Sequence, residues 1–356
     1  MVIVVKKDAP GEAIAGLVKQ VEDVGGQAFV SRGAERTIIG LVGDADLFAG
    51  LGFRSNRWVE KVVRISSSHK LVSREHHESA SEVRVGNAVF GDGRITLIAG
   101  PCAVETYEQT LAAAWMARAA GAQVLRGGAY KPRTSPYAFQ GLGERGLEIL
   151  AEAGRQTGLP TVTEVITPSD VALVVRHADM LQVGARNMQN FALLQAVGES
   201  GLPVLLKRGL SATIDEWLMA AEYIAQRGSL NIVLCERGIR TYETRTRNTL
   251  DIAAVPVLRQ ASHLPVVVDP SHSGGDRSLV LPLARAALAA GADGLIVDVH
   301  PEPETALCDG PQALQASEMA MLKATVAELG EVLGRLRDLD AAPDLAGAQR
   351  GVPLPV

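Results

Sequence analysis

Cysteine is scarce in this chain, with only Cys102, Cys235 and Cys308 among 356 residues. Three scattered thiols cannot form a disulfide framework, and they fit a reducing, cytoplasmic setting. There is no excess of positive charge. The formal net charge of −5 speaks against a nucleic-acid binder, whose footprint is a net basic surface. No stretch approaches the ~18 consecutive apolar residues of a membrane span. The opening MVIVVKKDAPGEA has no long apolar core and no cleavage site, so no signal peptide is expected. Hydrophobic content of 47% and charged content of 21% are those of an ordinary soluble globular enzyme. The length suits one large domain plus a small one.

Against the acidic total stands one cationic segment, Arg126 to Tyr137, reading RGGAYKPRTSPY. Gly127, Gly128, Pro132 and Pro136 exclude a helix, and the residues before each proline are pushed toward extended backbone. The result is a stiff loop carrying Arg126, Lys131 and Arg133, with hydroxyls at Thr134, Ser135 and Tyr137. Such a loop suits phosphate or carboxylate groups, although a solvated basic loop has the same composition.

Residues 1–66 alternate compactly: a β-branched run at Val2–Val5, helical spacing over Glu12–Val24, then Gln27–Ser31, Thr37–Val42, a short helical piece near Asp44–Leu51, and Val59–Ile65. The order βαββαβ is the ferredoxin-like split motif, and with few reactive side chains it points to regulation or assembly. Residues 67–90 read as a solvated polar linker ending in a hairpin. The His76-His77 pair lacks the spacing of a zinc helix.

From Arg94 onward short apolar runs alternate with helical patterns. The runs are Ile95–Ala99, Gln123–Arg126, Thr161–Val165, Met180–Val183, Pro203–Lys207, Asn231–Cys235, Pro265–Asp269 and Gly294–Asp298. Helices are expected at Thr106–Ala120, Glu144–Thr157, Ser169–Arg176, Gln189–Val197, Ala212–Arg227, Asn248–Ala261, Arg277–Ala290 and Pro311–Leu336. Eight β–α pairs over about 240 residues match a (β/α)8 TIM barrel spanning residues 91–338. A doubly wound open sheet is the alternative, but no GxGxxG turn follows the first strand. Gly121, Gly158, Gly201, Gly228 and Gly291 fall just past helices, where C-terminal caps take glycine. The tail, residues 339–356, has no periodicity and is expected to be mobile.

Barrel sites form where strands end, and every strand here delivers a polar or ionisable group at that edge. In order these are Cys102 after Gly100-Pro101, Arg126, Glu164, Arg186 after Gly184-Ala185, Lys207, Glu236-Arg237, Asp269 with His272, and Asp298 with His300, followed by Asp309. The cations Arg126, Lys131, Arg133, Arg186, Lys207 and Arg237 suit two polyanionic ligands at once, since a phosphate monoester carries about two negative charges near pH 7. A single anion would leave like charges crowded at low dielectric. Cys102, His272, Asp298 and Asp309 make a mixed sulfur, nitrogen and oxygen donor set for a divalent first-row metal. Cys235, inside an apolar run, reads as structural, and Cys308 as a bystander of Asp309.

The motifs GPC (100–102), RGGAYKPRTSPY, TEV (163–165), QVGARNMQNF (182–191), LLKRG (205–209), CERGIRTYE (235–243), DPSHSGG (269–275) and DGPQAL (309–314) together resemble the class I 3-deoxy-D-arabino-heptulosonate 7-phosphate (DAHP) synthases. The similarity is to the subfamily with a ferredoxin-like, ACT-like regulatory domain, and it covers essentially the whole chain. It implies metal-dependent condensation of phosphoenolpyruvate with erythrose 4-phosphate, releasing phosphate, at the first step of the shikimate pathway. Carried onto this sequence, it has Arg126, Lys131, Arg186, Lys207 and Arg237 hold phosphoenolpyruvate, with Ala185 and Asp269 also at the substrate. Arg133, Thr134 and Ser135 would hold the phosphate of the aldose. Cys102, His272, Asp298 and Asp309 would bind the metal, of the manganese, iron, zinc or cobalt type. The family carries glutamate where this chain has Asp298, one methylene shorter.

Lys131 is the candidate to protonate the new alkoxide, and Glu164 either to order the attacking water or to orient Lys131 or an arginine. Alternatives are 3-deoxy-D-manno-octulosonate 8-phosphate synthase, which resembles this chain but carries Asn where Pro132-Arg133 stand, and a non-catalytic amino-acid sensor. Residues 1–66 are expected to bind an aromatic amino acid and close over the barrel mouth. The expected assembly is a homotetramer.

Overall fold

The computed structural model describes residues 1–335 apart from 34–35, 44–46, 49, 64–68, 78 and 134. The expected tail, 339–356, lies outside the described residues, as does Thr134.

The amino-terminal unit begins with β1 (Val2–Val5), a helix over Gly11–Glu22, β2 (Gln27–Arg32), β3 (Thr37–Val42) and β4 (Val59–Val63). The strands lie in the order β2-β3-β1-β4, with all pairs antiparallel. That is the ferredoxin-like arrangement read from the sequence. Side chains alternate across a strand, so the sheet has two apolar faces. Ile3, Val5, Ile39 and Leu41 pack with Ile14, Leu17 and Val21 of the helix. Val2, Val4 and Ile38 face the larger domain. Part of the helical piece expected at Asp44–Leu51 lies outside the described residues, though Leu47 and Phe48 are helical.

The connecting segment is not a solvated linker. Leu71 and Val72 are fully buried, and their backbone N–H groups donate to the Glu222 carboxylate at 2.8–3.1 Å. His77 stacks on His263 with ring centroids 4.4 Å apart. An apolar pair inside a polar run was enough to draw the segment into the core.

Strands β5 (Val83–Val85) and β6 (Ala88–Phe90) form the hairpin. Its Val83, Val85 and Phe90 pack with Ile98, Val162, Met180, Val233 and Ile296 inside the barrel. The Thr96 hydroxyl at the start of the first barrel strand donates to the Val89 carbonyl, 2.7 Å away. The hairpin therefore plugs the end of the barrel where strands begin.

The barrel strands are β7 (Thr96–Gly100), β8 (Val124–Arg126), β9 (Thr161–Val165), β10 (Met180–Val183), β11 (Val204–Lys207), β12 (Ile232–Glu236), β13 (Val266–Val268) and β14 (Gly294–Asp298). All pair in parallel, and β14 closes onto β7. Each falls on an expected run. Helices cover the expected stretches with two shortenings. Asn248–Ala261 is helical only from Ala254, because Arg247 and Asn248 donate their backbone N–H groups to Gly274 and Ser273 instead. Pro311–Leu336 is helical over Ala316–Val332, because the chain first returns to the sheet edge through Leu314, whose N–H bonds the Asp298 carbonyl. All five post-helix glycines have positive φ. Cys235 points into the interior, where burial pushes its thiol up to about 12.

The amino-terminal unit docks at the end of the barrel opposite the strand-end edge. Arg32 bonds the Gly228 carbonyl and bridges Ser229, just ahead of β12. Within one chain it therefore does not close over the barrel mouth, contrary to expectation. The apolar face formed by Val2, Val4 and Ile38 decides this, since it is buried against the barrel. Among the described residues no helix is long and apolar enough to cross a membrane.

Candidate active site

At the ends of the barrel strands lies a cavity of about 310 Å³, lined by seven cations: Arg126, Lys131, Arg133, Arg186, Lys207, Arg237 and Arg247. The first six are those expected from the sequence. Ser135, Glu164, Gln182 and Ala185 complete much of the wall. Glu164 accepts from Gln182 Nε2 at 3.3 Å. It lies directly against Gly184, where any Cβ would overlap its carboxylate.

On one side of this cavity four donor groups converge. Cys102, His272, Asp298 and Asp309 bring their ligand atoms within 4.8 Å of one another. Cys102 Sγ is 3.8 Å from His272 Nε2 and 3.2 Å from Asp309 Oδ2. His272 Nε2 lies 3.7 Å from Asp298 Oδ2 and 3.5 Å from Asp309 Oδ2. The set mixes soft sulfur with imidazole and carboxylate, the chemistry of a divalent first-row metal site, and its aspartate suits that group although the arm is short. Asp309 is the only described non-glycine residue with positive φ, 55°. Strained backbone of this kind is found where a side chain must be aimed.

The supporting contacts explain the local electrostatics. Asp269 caps the short helix Pro270–Gly274 by accepting from His272 N at 2.8 Å. Its other oxygen takes Lys207 Nζ at 2.5 Å and lies 2.9 Å from His272 Nδ1, leaving Nε2 toward the cluster. Burial opposes the charge on Asp269, yet His272 and Lys207 hold its carboxyl well below the usual range. Asp269 does not line the cavity. It holds Lys207 and His272 from behind.

Burial likewise pulls His272 down, but Asp269 and Asp309 leave it raised overall. The hydrogen bond from Cys308, the ammonium of Lys131 and the bond to His272 together keep the Cys102 thiol well below its ordinary value. Lys131 donates to the Cys102 carbonyl at 2.9 Å and to Sγ at 3.1 Å. Burial lowers its basicity, and the neighbouring Cys102, Cys308 and Glu164 charges more than restore it, so it stays an ammonium.

Cys308 is not a bystander. Its sulfur lies 3.6 Å from Cys102 Sγ and accepts from Arg133 at 2.6 Å. Arg126 is paired with Asp298. His300 stays off the cavity, its Nε2 3.6 Å from Glu105 Oε2. Two further residues escaped the sequence reading. Arg247 lines the cavity and bonds Asp309 Oδ1 at 3.0 Å. Gln312 reaches Asp298 Oδ2 at 2.5 Å. The overlong helix expected from Asn248 disguised Arg247 as a residue preceding a helix, and only the two arginines flanking Thr246 hinted otherwise.

A closed (β/α)8 barrel with a cationic strand-end cavity is the architecture of an enzyme whose site forms at the strand ends, and the thiol–imidazole–carboxylate cluster beside it could hold a divalent metal. Residues 72–335 match the DAHP synthetase I family, and residues 1–67 match the DAHP synthase ferredoxin-like domain. The chain belongs to the DAHP synthetase I family. It is 51% identical over 334 residues to a phospho-2-dehydro-3-deoxyheptonate aldolase of Thermotoga maritima, covering 94% of this chain and 99% of that one. The crystal structure of DAHP synthase from Thermotoga maritima is similar at a TM-score of 0.74 and 50% identity, covering 94% of this chain and 98% of the other. A 2-dehydro-3-deoxyphosphooctonate aldolase of Syntrophobacter fumaroxidans is 34% identical over 282 residues, covering 74% and 96% of the two chains.

Proposed function

We propose that this chain condenses phosphoenolpyruvate with erythrose 4-phosphate to give 3-deoxy-D-arabino-heptulosonate 7-phosphate and phosphate, the entry step of the shikimate pathway. The observation that carries this is the convergence of Cys102, His272, Asp298 and Asp309 within 4.8 Å beside a cavity lined by seven cations. Two phosphorylated substrates together bring roughly five negative charges, which a site of this sign accommodates.

In this reading Arg126, Lys131, Arg186, Lys207 and Arg237 bind and orient the phosphate and carboxylate of phosphoenolpyruvate. Arg133 and Ser135, with Thr134 outside the described residues, take the aldose phosphate. A divalent ion held by the four ligands would polarise the aldehyde oxygen as a Lewis acid. C3 of phosphoenolpyruvate attacks the aldehyde carbon, and the Lys131 ammonium delivers a proton to the oxygen that was the carbonyl. Water adds at C2, where Glu164, steadied by Gln182, orients it. The hemiketal phosphate then loses inorganic phosphate by C–O cleavage. Asp269 acts behind this machinery, fixing Lys207 and the His272 ring.

Purified protein supplied with a divalent metal and phosphoenolpyruvate is expected to release phosphate with erythrose 4-phosphate and not with arabinose 5-phosphate. Turnover of arabinose 5-phosphate alone would assign the octulosonate reaction instead. No metal-dependent release with either aldose would leave a sensor. The ferredoxin-like unit, matched over residues 1–67, is proposed to bind an aromatic amino acid that inhibits the barrel. A homotetramer is proposed as the working assembly, to be read by light scattering. Inhibition by tyrosine or phenylalanine that survives deletion of residues 1–66 would sink the regulatory part.

A further inference from the structure

We propose that Arg247 and Gln312 are a positioning pair that sets the geometry of both carboxylates in the metal cluster. This rests on reading Cys102, His272, Asp298 and Asp309 as ligands.

The contacts run in series from one guanidinium. Arg247 donates to Asp309 Oδ1 at 3.0 Å and to Gln312 Oε1 at 2.9 Å. Gln312 Nε2 then donates to Asp298 Oδ2 at 2.5 Å. Arginine can only donate, so the amide oxygen of Gln312 must face Arg247 and its NH2 must face Asp298. The orientation of the amide, and with it the hold on Asp298, is thus decided by Arg247. With Oδ1 of Asp309 occupied, Oδ2 is the oxygen turned to Cys102 and His272.

The pair is built in rather than incidental. Gln312 is almost fully buried and sits in the short turn Gly310–Gln312 that follows Asp309. Arg247 is anchored through its backbone N–H to the Gly274 carbonyl, and the next residue bonds Ser273, so its chain is stitched to the helix bearing His272. Its stem lies on Gly275, where a Cβ would come within 2.5 Å of Arg247 Cβ and where φ is +73°. A short aspartate arm at 298 has less freedom to find a metal than a glutamate has, and a donor aimed at it from behind fixes its direction. Partners behind the ligands commonly tune affinity in this way.

The test uses metal-stripped full-length protein titrated with Co(II), read by its ligand-field and sulfur charge-transfer absorption. Arg247→Met and Gln312→Met are each expected to raise the Co(II) Kd by about 10- to 100-fold and to shift the ligand-field bands. The charge-transfer band from Cys102 should persist. Arg247→Lys keeps one donor and should fall between parent and Arg247→Met. The double variant should bind no worse than Arg247→Met alone by more than a small factor, because the two act in series. Gln312 does not line the cavity, so its variant should bind phosphoenolpyruvate without metal as the parent does. Should Gln312→Met fail to fold, the half-exposed Arg247 variants still decide the matter. Cys102→Ser separates the two levels. If it abolishes Co(II) binding while the Arg247 variants keep parental Kd and spectrum, the positioning pair is wrong. If Cys102→Ser itself binds like the parent, the metal-site reading has failed.

Discussion

At position 298 a carboxylate on a short arm is fully buried, with one oxygen on Arg126 and the other on Gln312. Asp298→Asn removes the charge and leaves Arg126 buried without a counter-ion, which costs about 3–5 kcal/mol when one partner of such a pair is lost. Urea denaturation of the metal-free protein should show that loss, and metal content should fall. Asp298→Glu keeps the charge on an arm one methylene longer. It is expected to retain metal, with a packing cost of about 1–3 kcal/mol from the added methylene. Lys131, the proposed proton donor, lines the cavity and remains charged despite burial. Lys131→Met should lower kcat by about 10²- to 10⁴-fold, with metal content intact, because the four ligands do not include it. A rise in KM with kcat unchanged would remove it from proton transfer.

The element that joins the two domains is the segment around Leu71 and Val72, clamped by Glu222 of the helix Ile214–Ala225. Ser262 and His263 bond its carbonyls from the other side, at 2.6 and 2.9 Å. Glu222→Ala would orphan two buried N–H groups at about 1–3 kcal/mol each. The carboxyl is also a pH reporter. Burial raises it, against the backbone N–H groups of Leu71, Lys70 and Val72 and the charge of His69, and the net direction is upward. A group raised on folding adds its stability fully below its unfolded value, about 4.3 for glutamate, and loses it as pH rises through the folded value. The parent should therefore lose stability relative to Glu222→Gln as pH rises from about 4.3 toward neutrality. A pH-independent difference between the two in urea titrations would refute the assignment.

For the whole molecule, every residue lining the cavity belongs to the barrel, while the amino-terminal unit docks at the opposite end through Val2, Val4 and Ile38. Deleting residues 1–66 should leave condensation activity in place. It should also expose the apolar surface beneath and promote association, since large uncovered apolar patches seek partners. Activity assays beside light scattering check both. If the truncated barrel were inactive yet folded, the amino-terminal unit would be part of the catalytic machinery and not an appendage.

Local pattern was sufficient for the eight strands, the ferredoxin-like order and the four donor side chains that converge at one rim. Strand periodicity and strand-end chemistry are written in consecutive residues, and a barrel carries each strand end to one rim. The sequence alone thereby determined which side chains would meet. What it could not carry were contacts across large separations in chain. Arg247 and Gln312, 65 positions apart, became partners only when backbone bonds at Gly274 and Leu314 overrode the helical patterns expected there. Cys308 entered the site because its turn brings it to Arg133, and Asp269 is engaged through both oxygens by Lys207 and His272. The docking of the small domain was decided the same way. Its second apolar face is visible as alternation in the strands, but which end of the barrel would bury that face depended on the fit to Leu71 and Leu230, a matter of tertiary packing alone.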